Sequence, residues 1–317
     1  MTAVSNAQVQ MDQKYMAYVS ATAHSRRTRK IEKLRVAALE SINDAKYKTS
    51  DLPKYKGDNS LRQAGIDYIQ FCYRIFSEDY SKIVNMEEIA EQSVDQMQAY
   101  LLLEEKTSEK LTEASNNLSK SEKEFAAKYA VNLVDTKNEL SEKMGTAGKA
   151  NRYCDKVFIL FFKCNWEDGE LFKALNSHKL NDAEQARNSM INFANEGLEA
   201  LKSDSMRIFQ GNPGLAIACR ESLEFYRSIA KIDVPKLMDF YLKQENFDKI
   251  KASLDAKGSS KTKEDVALYN KAVKDINASV NDFNQLNQDL NKSRQQTAAN
   301  WENKEKAFRD EIMPYYK

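Results

Sequence analysis

Residues 263–290 read KEDVALYNKAVKDINASVNDFNQLNQDL. Within them Val266, Tyr269, Val273, Ile276, Val280 and Phe283 recur at alternating spacings of three and four. That period keeps an apolar stripe on one side of an α-helix and is the seam of a coiled coil. The stripe weakens through Asn287, Leu290, Arg294 and Thr297, then recovers at Trp301 and Phe308. The spacing predicts one helix of about 50 residues, roughly 75 Å long. Gly258 and then Thr262-Lys263-Glu264-Asp265 mark its start, a glycine stop followed by a capping box. Asn287 at a seam position would fix register if buried. The weak seam on either side points instead to a solvent-facing residue at a bend.

Working outward, composition supports the same class. Of 317 residues only 9 are glycine and 4 proline. A sandwich, barrel or propeller needs more turn formers than that. Hydrophobic residues make 42 %, enough for a core, so the chain is not a disordered one. Lys and Arg number 48 against 47 Asp and Glu, a net charge of +1, which removes the usual signature of a nucleic-acid binder. The fold class predicted is all-α: an elongated helical bundle with long coiled-coil-like helices.

The chain also resembles itself. Tyr55-Lys56-Gly57-Asp58-Asn59-Ser60-Leu61 parallels Phe209-Gln210-Gly211-Asn212-Pro213-Gly214-Leu215, and the match runs on through Ala64/Ala218, Ile69/Leu223 and Phe71/Phe225. Later, Leu118-Ser119-Lys120-Ser121 parallels Leu290-Asn291-Lys292-Ser293, with Ala126-Ala127 opposite Ala298-Ala299 and Tyr129 opposite Trp301. Gly57 and Gly211 suit a turn with an unusual backbone angle. Asp58 and Asn212 supply oxygens for the free N–H groups of a following helix. A phosphate-binding loop is the sharper reading of the same residues, but a lone glycine without a following Lys-Ser/Thr favours capping. Two tandem related halves follow, residues 1–148 and 149–317, packed as one pseudo-symmetric bundle. The boundary is set at Gly145-Thr146-Ala147-Gly148, with turns near 49–59, 145–150, 207–214 and 257–262.

No catalytic motif is found. Gly-x-Ser-x-Gly, His-Glu-x-x-His, Glu-x-x-His and Walker patterns are all absent, so no enzyme activity, cofactor or metal is expected. His24 and His178 have no carboxylate or cysteine beside them in sequence. Cys72, Cys154, Cys164 and Cys219 form no CxxC pair and read as small buried hydrophobes, with a Cys72–Cys219 bridge the one alternative.

Two segments stand out as contact surfaces. Residues 26–35 form the one basic run, in which Arg26, Lys30 and Lys33 share a helical face able to meet phosphate, lipid head groups or an acidic partner. The ordinary reading is a solvated face. Val157 to Phe162 is the longest apolar run, six residues long. Phe158, Phe161 and Phe162 cover most of a helix circumference, which predicts burial inside a bundle. The sharper alternative is a membrane-inserting tongue. Six residues are far too few to span a bilayer, and no transmembrane helix is predicted. The first seven residues lack the basic and apolar regions of an intact signal peptide. A cytoplasmic location and export with the signal already removed both fit.

The stretches Tyr55 to Leu61, Glu78 to Ser93, Glu124 to Tyr129 and Pro314-Tyr315-Tyr316-Lys317 resemble a family of bacterial surface proteins, often lipoproteins, of spirochaetes and Bacteroidetes. The resemblance implies an exported helical protein, associated with membrane through a processed N-terminus. It brings no catalytic or binding residues. The function expected is a non-enzymatic cell-envelope protein acting as an elongated helical scaffold or binding module, with a protein partner or self-association. The alternative is a membrane-active protein working like α-helical pore-forming toxins.

Overall fold

The computed structural model describes residues 1–25, 27–79, 91–133 and 139–316. Among them the chain forms ten α-helices, and the β pairing recorded is two isolated bridges. The chain is all-α. Its packing divides into two compact units. Unit 1 comprises Met1–Asp155 and Ala307–Lys317, and unit 2 comprises Lys156–Lys306.

In unit 1, α1 (Thr2–His24) and α2 (Thr28–Ser50) pack as an antiparallel pair, with Lys48 Nζ 3.1 Å from Gln10 Oε1. Next come α3 (Ser60–Arg74), a π-helical turn (Ile75–Asp79) and α4 (Val94–Lys128). Ser93 caps α4 by accepting from the Gln96 amide at 3.1 Å. Ala7 and Met11 of α1, Ile42 and Ala45 of α2, and Ile69 and Cys72 of α3 form one core cluster. Leu61 with Leu118 and Phe125 forms a second. Gly65 permits the close approach of three helices, because a Cβ there would lie 3.0 Å from Val4 and 3.3 Å from Thr49.

In unit 2 the helices are the later part of α5 (Glu139–Asn176), α6 (Leu180–Ala200), the short turn α7 (Asp204–Arg207), α8 (Gly214–Ile232), α9 (Val234–Ala256) and most of α10 (Lys263–Ile312). Leu215, Cys219, Leu223, Tyr226 and Ile229 are buried on one side of α8, at the three-and-four spacing of an amphipathic helix. A Cβ on Gly197 would meet Leu223 at 2.6 Å, so α6 and α8 touch there.

The long helix predicted after Gly258 is present as Lys263–Ile312, 50 residues, and so is its capping box. The Asp265 amide donates to Thr262 Oγ1 at 3.2 Å, and the Thr262 amide donates to Asp265 Oδ2 at 2.9 Å. The first part of α10 runs back along α9. Phe240 stacks on Phe283 at 3.9 Å, Phe247 lies 5.8 Å from Tyr269, and Lys257 meets Asp265 at 2.6 Å near the turn. Asn287 differs from expectation: it is half-buried within an unbroken helix.

The two turns of the self-similar motif have one geometry. Tyr55 bridges Asp58 and Phe209 bridges Asn212. The central φ angles are 50° and 83° at Lys56-Gly57, and 49° and 85° at Gln210-Gly211. Asp58 Oδ1 accepts the Ser60 amide at 2.8 Å, and Asn212 Oδ1 accepts the Gly214 amide at 2.7 Å. Both acids and amides are thus capping groups. The turn expected at 145–150 is absent, because Gly145 and Gly148 lie inside α5. A glycine costs a helix about 1 kcal/mol. Burial of Leu140, Ala147, Ala150 and Tyr153 along the same helix outweighs it.

Candidate functional site

The apolar segment of α5 faces inward. Phe161 and Phe162 are 6 % and 8 % exposed, and Val157 is fully buried. Phe158 is half-buried and lies 5.7 Å from Phe162. Trp301 of α10 stacks on Phe161 with centroids 4.3 Å apart and planes 5° from parallel. This segment belongs to the core of unit 2.

Two turns further along α5, Asp168 forms a two-point ion pair with Arg294 of α10, at 2.6 and 2.8 Å. The guanidinium also lies 3.7 Å from the centre of the Phe172 ring, which it meets as a cation over a π face. Arg294 Nη1 makes no hydrogen bond among the described residues. Tyr226 donates to Asn165 Oδ1 at 2.8 Å beside this pair, and burial pushes its hydroxyl pKa up. The Cys164 thiol, in the same layer, is pushed by burial to about 12 and stays protonated. All four cysteines are buried free thiols.

The basic run sits differently. Arg26 lies outside the described residues, as do positions 80–90 of the stretch that carries the family resemblance. Lys30 and Lys33 are on α2 and exposed, together with Arg27 and Arg29. Glu32, between them, is held by Arg35 through two bonds of 2.7 and 2.8 Å, and that hydrogen bonding lowers the Glu32 pKa. Arg27 and Arg29 were not singled out by the shared-face argument. What it lacked was the end of α1 at His24 and the start of α2 at Thr28, which turn the run into the exposed start of a helix.

His24 is a correction. It has a carboxylate partner after all, supplied from 286 positions away. Its Nδ1 lies 3.2 Å from Asp310 Oδ1, its Nε2 lies 3.1 Å from the Met313 carbonyl oxygen, and Tyr315 stacks on its ring at 3.7 Å. The Tyr316 amide donates to Ser20 Oγ at 2.9 Å. No local spacing could have signalled this. His178 sits in a turn at φ 56° with its ring edge-on to Tyr241 at 5.3 Å. In unit 1 Asp12 is half-buried, and that burial raises its pKa to about 7. Burial first, then Cys72 and Asp12, push the nearby Tyr68 hydroxyl up.

Among the described residues no group of three His, Cys, Asp or Glu side chains is placed to hold a metal ion. Among them, too, no helix is long and apolar enough to cross a membrane. Compared with protein-family models, curated proteins and solved structures, the chain has no match in any of the three.

Proposed function

We propose that this chain is a non-enzymatic helical scaffold or binding module of the bacterial cell envelope, built from two tandem related halves. The observation that carries the binding-module reading is the α9–α10 pair. From 238 to 283 Ala272 is the one buried residue, while Leu242, Val266 and Leu268 are 53 %, 42 % and 53 % exposed. A two-helix pair of this kind keeps its seam half wet and has apolar area left for a protein partner or a second copy. The shared turn geometry at Tyr55–Asp58 and Phe209–Asn212 supports the relation between halves. The envelope location rests on the sequence resemblance. Attachment through a processed, lipidated N-terminus belongs to the same reading.

Fractionation of the native host tests the location. Recovery in the envelope fraction supports the proposal, and recovery in the cytosol overturns it. Sedimentation of the purified protein tests self-association through the pair, which Leu242→Asp with Leu268→Asp should abolish. The pore-forming alternative gains no support from Phe161 and Phe162, which are already packed against aromatic neighbours.

A further inference from the structure

We propose that the apex of the α1–α2 pair is a docking surface for a membrane leaflet rich in anionic lipid. The patch is Arg27, Arg29, Lys30 and Lys33, all exposed. It makes no ion pair with a described residue. The chain as a whole is balanced at +1, but this stretch is not. Between residues 13 and 39 the sequence has one carboxylate, Glu32, and Arg35 already holds it through both oxygens.

The position of these cations argues against a role in folding. They occupy the start of α2, where the N–H groups left without helical partners and the macrodipole already make the site positive. The first turn has no acidic residue, and Arg27 at the N-cap supplies no side-chain cap. The N-cap position itself favours Asp, Asn, Ser or Thr, and here it is Arg27, whose own amide donates to Ser25 Oγ at 3.2 Å. Local rules broken in this way are expected where function demands it.

Shape selects the partner. The patch lies where α1 hands over to α2, and Arg29, Lys30 and Lys33 fall within about 100° of arc on α2. A sheet of anionic head groups complements this cationic face, whose one carboxylate is already taken by Arg35. A peptide lying along α2 would instead enter the shallow groove of Arg29, Glu32, Lys33, Val36, Ala37 and Glu40, where the signs are mixed. Beside the apex, Tyr315 is 64 % exposed on top of His24, an aromatic with a polar tip of the kind favoured at membrane interfaces. The proposal holds whether or not the protein is exported.

The test is co-sedimentation of the full chain with phosphatidylglycerol–phosphatidylcholine vesicles, against vesicles of phosphatidylcholine alone. Binding is expected to the first only, and to fall as salt rises. Reversal by R29E/K30E/K33E should weaken it by more than about 100-fold, because loss of each cation costs roughly fivefold and each is replaced by an anion. The same variant should melt no lower than the parent, because its new carboxylates suit the helix start. Neutralisation by R29Q/K30Q/K33Q should give an intermediate loss, and K249E/K251E on α9 none. Equal binding to phosphatidylcholine, undiminished binding by the reversed variant, or no vesicle binding overturns the proposal. Binding of short polyphosphate without vesicle binding overturns it as well.

Discussion

At the scale of single residues, the buried polar groups give the sharpest expectations. Asp12 has its pKa raised from 3.8 to about 7 by burial. Its protonated form is therefore the one the fold prefers. The stability this contributes is fully present below about pH 3.8 and is lost as pH rises through 7. Asp12→Asn should remove that dependence. In urea titrations it should unfold like the parent near pH 4 and be more stable by roughly 4 kcal/mol near pH 8. The Asp168–Arg294 pair follows a different rule. Arg294→Met alone leaves a carboxylate buried without its cation, at a cost of about 3 kcal/mol. Asp168→Leu with Arg294→Met should recover most of that loss, because the pair is then replaced by apolar packing. A double-mutant cycle by denaturant unfolding measures the coupling. Part of this was legible: Arg294 stands where the apolar seam of α10 weakens. Which carboxylate answers it was not, since Asp168 is 126 positions away.

At the scale of elements, glycine separates the turns that sequence marks reliably from those it does not. Gly57 and Gly211 sit at φ 83° and 85°, a region that side chains with a Cβ rarely adopt. Gly145 and Gly148 sit in a helix with nothing within 4 Å of an added Cβ. Alanine should therefore act with opposite sign at the two kinds of site. Gly57→Ala and Gly211→Ala should each destabilise by about 1 kcal/mol. Gly145→Ala and Gly148→Ala should each stabilise by up to about 1 kcal/mol, read as thermal midpoints. The repeat exposed the first pair because a turn was backed by its capping partner, Asp58 or Asn212. The second pair had a glycine spacing and no such partner, and packing overruled it. The seam of α10 was legible for the related reason that long periodic signals survive local interruption. The end of α1 at His24 and the break at 177–179 carry no glycine or proline and left no comparable mark.

At the scale of the whole molecule, the two units differ in how the chain builds them. Unit 2 is one continuous stretch, Lys156–Lys306, with its own buried layer of Phe161, Leu171, Met190, Leu223 and Trp301. Unit 1 is discontinuous and recovers its last piece from Ala307–Lys317. That piece buries Phe308 and Met313 and supplies both acceptors around His24. Phe308 also packs 5.4 Å from Tyr153. A division read along the sequence at 148 had no access to this, because a helical seam does not reveal which core each turn enters. The consequence is an asymmetry between fragments. Residues 156–306 expressed alone should give a helical circular-dichroism spectrum and a cooperative melt. Residues 1–155 alone lose two buried side chains worth about 2 kcal/mol each, together with the His24 contacts. They should melt lower or unfold, and a peptide of residues 307–317 added in excess should raise the midpoint. The same peptide with Asp310→Asn and Phe308→Ala should not. Equal stability of both fragments without the peptide would mean that the C-terminal segment merely lies on unit 1 and does not complete it.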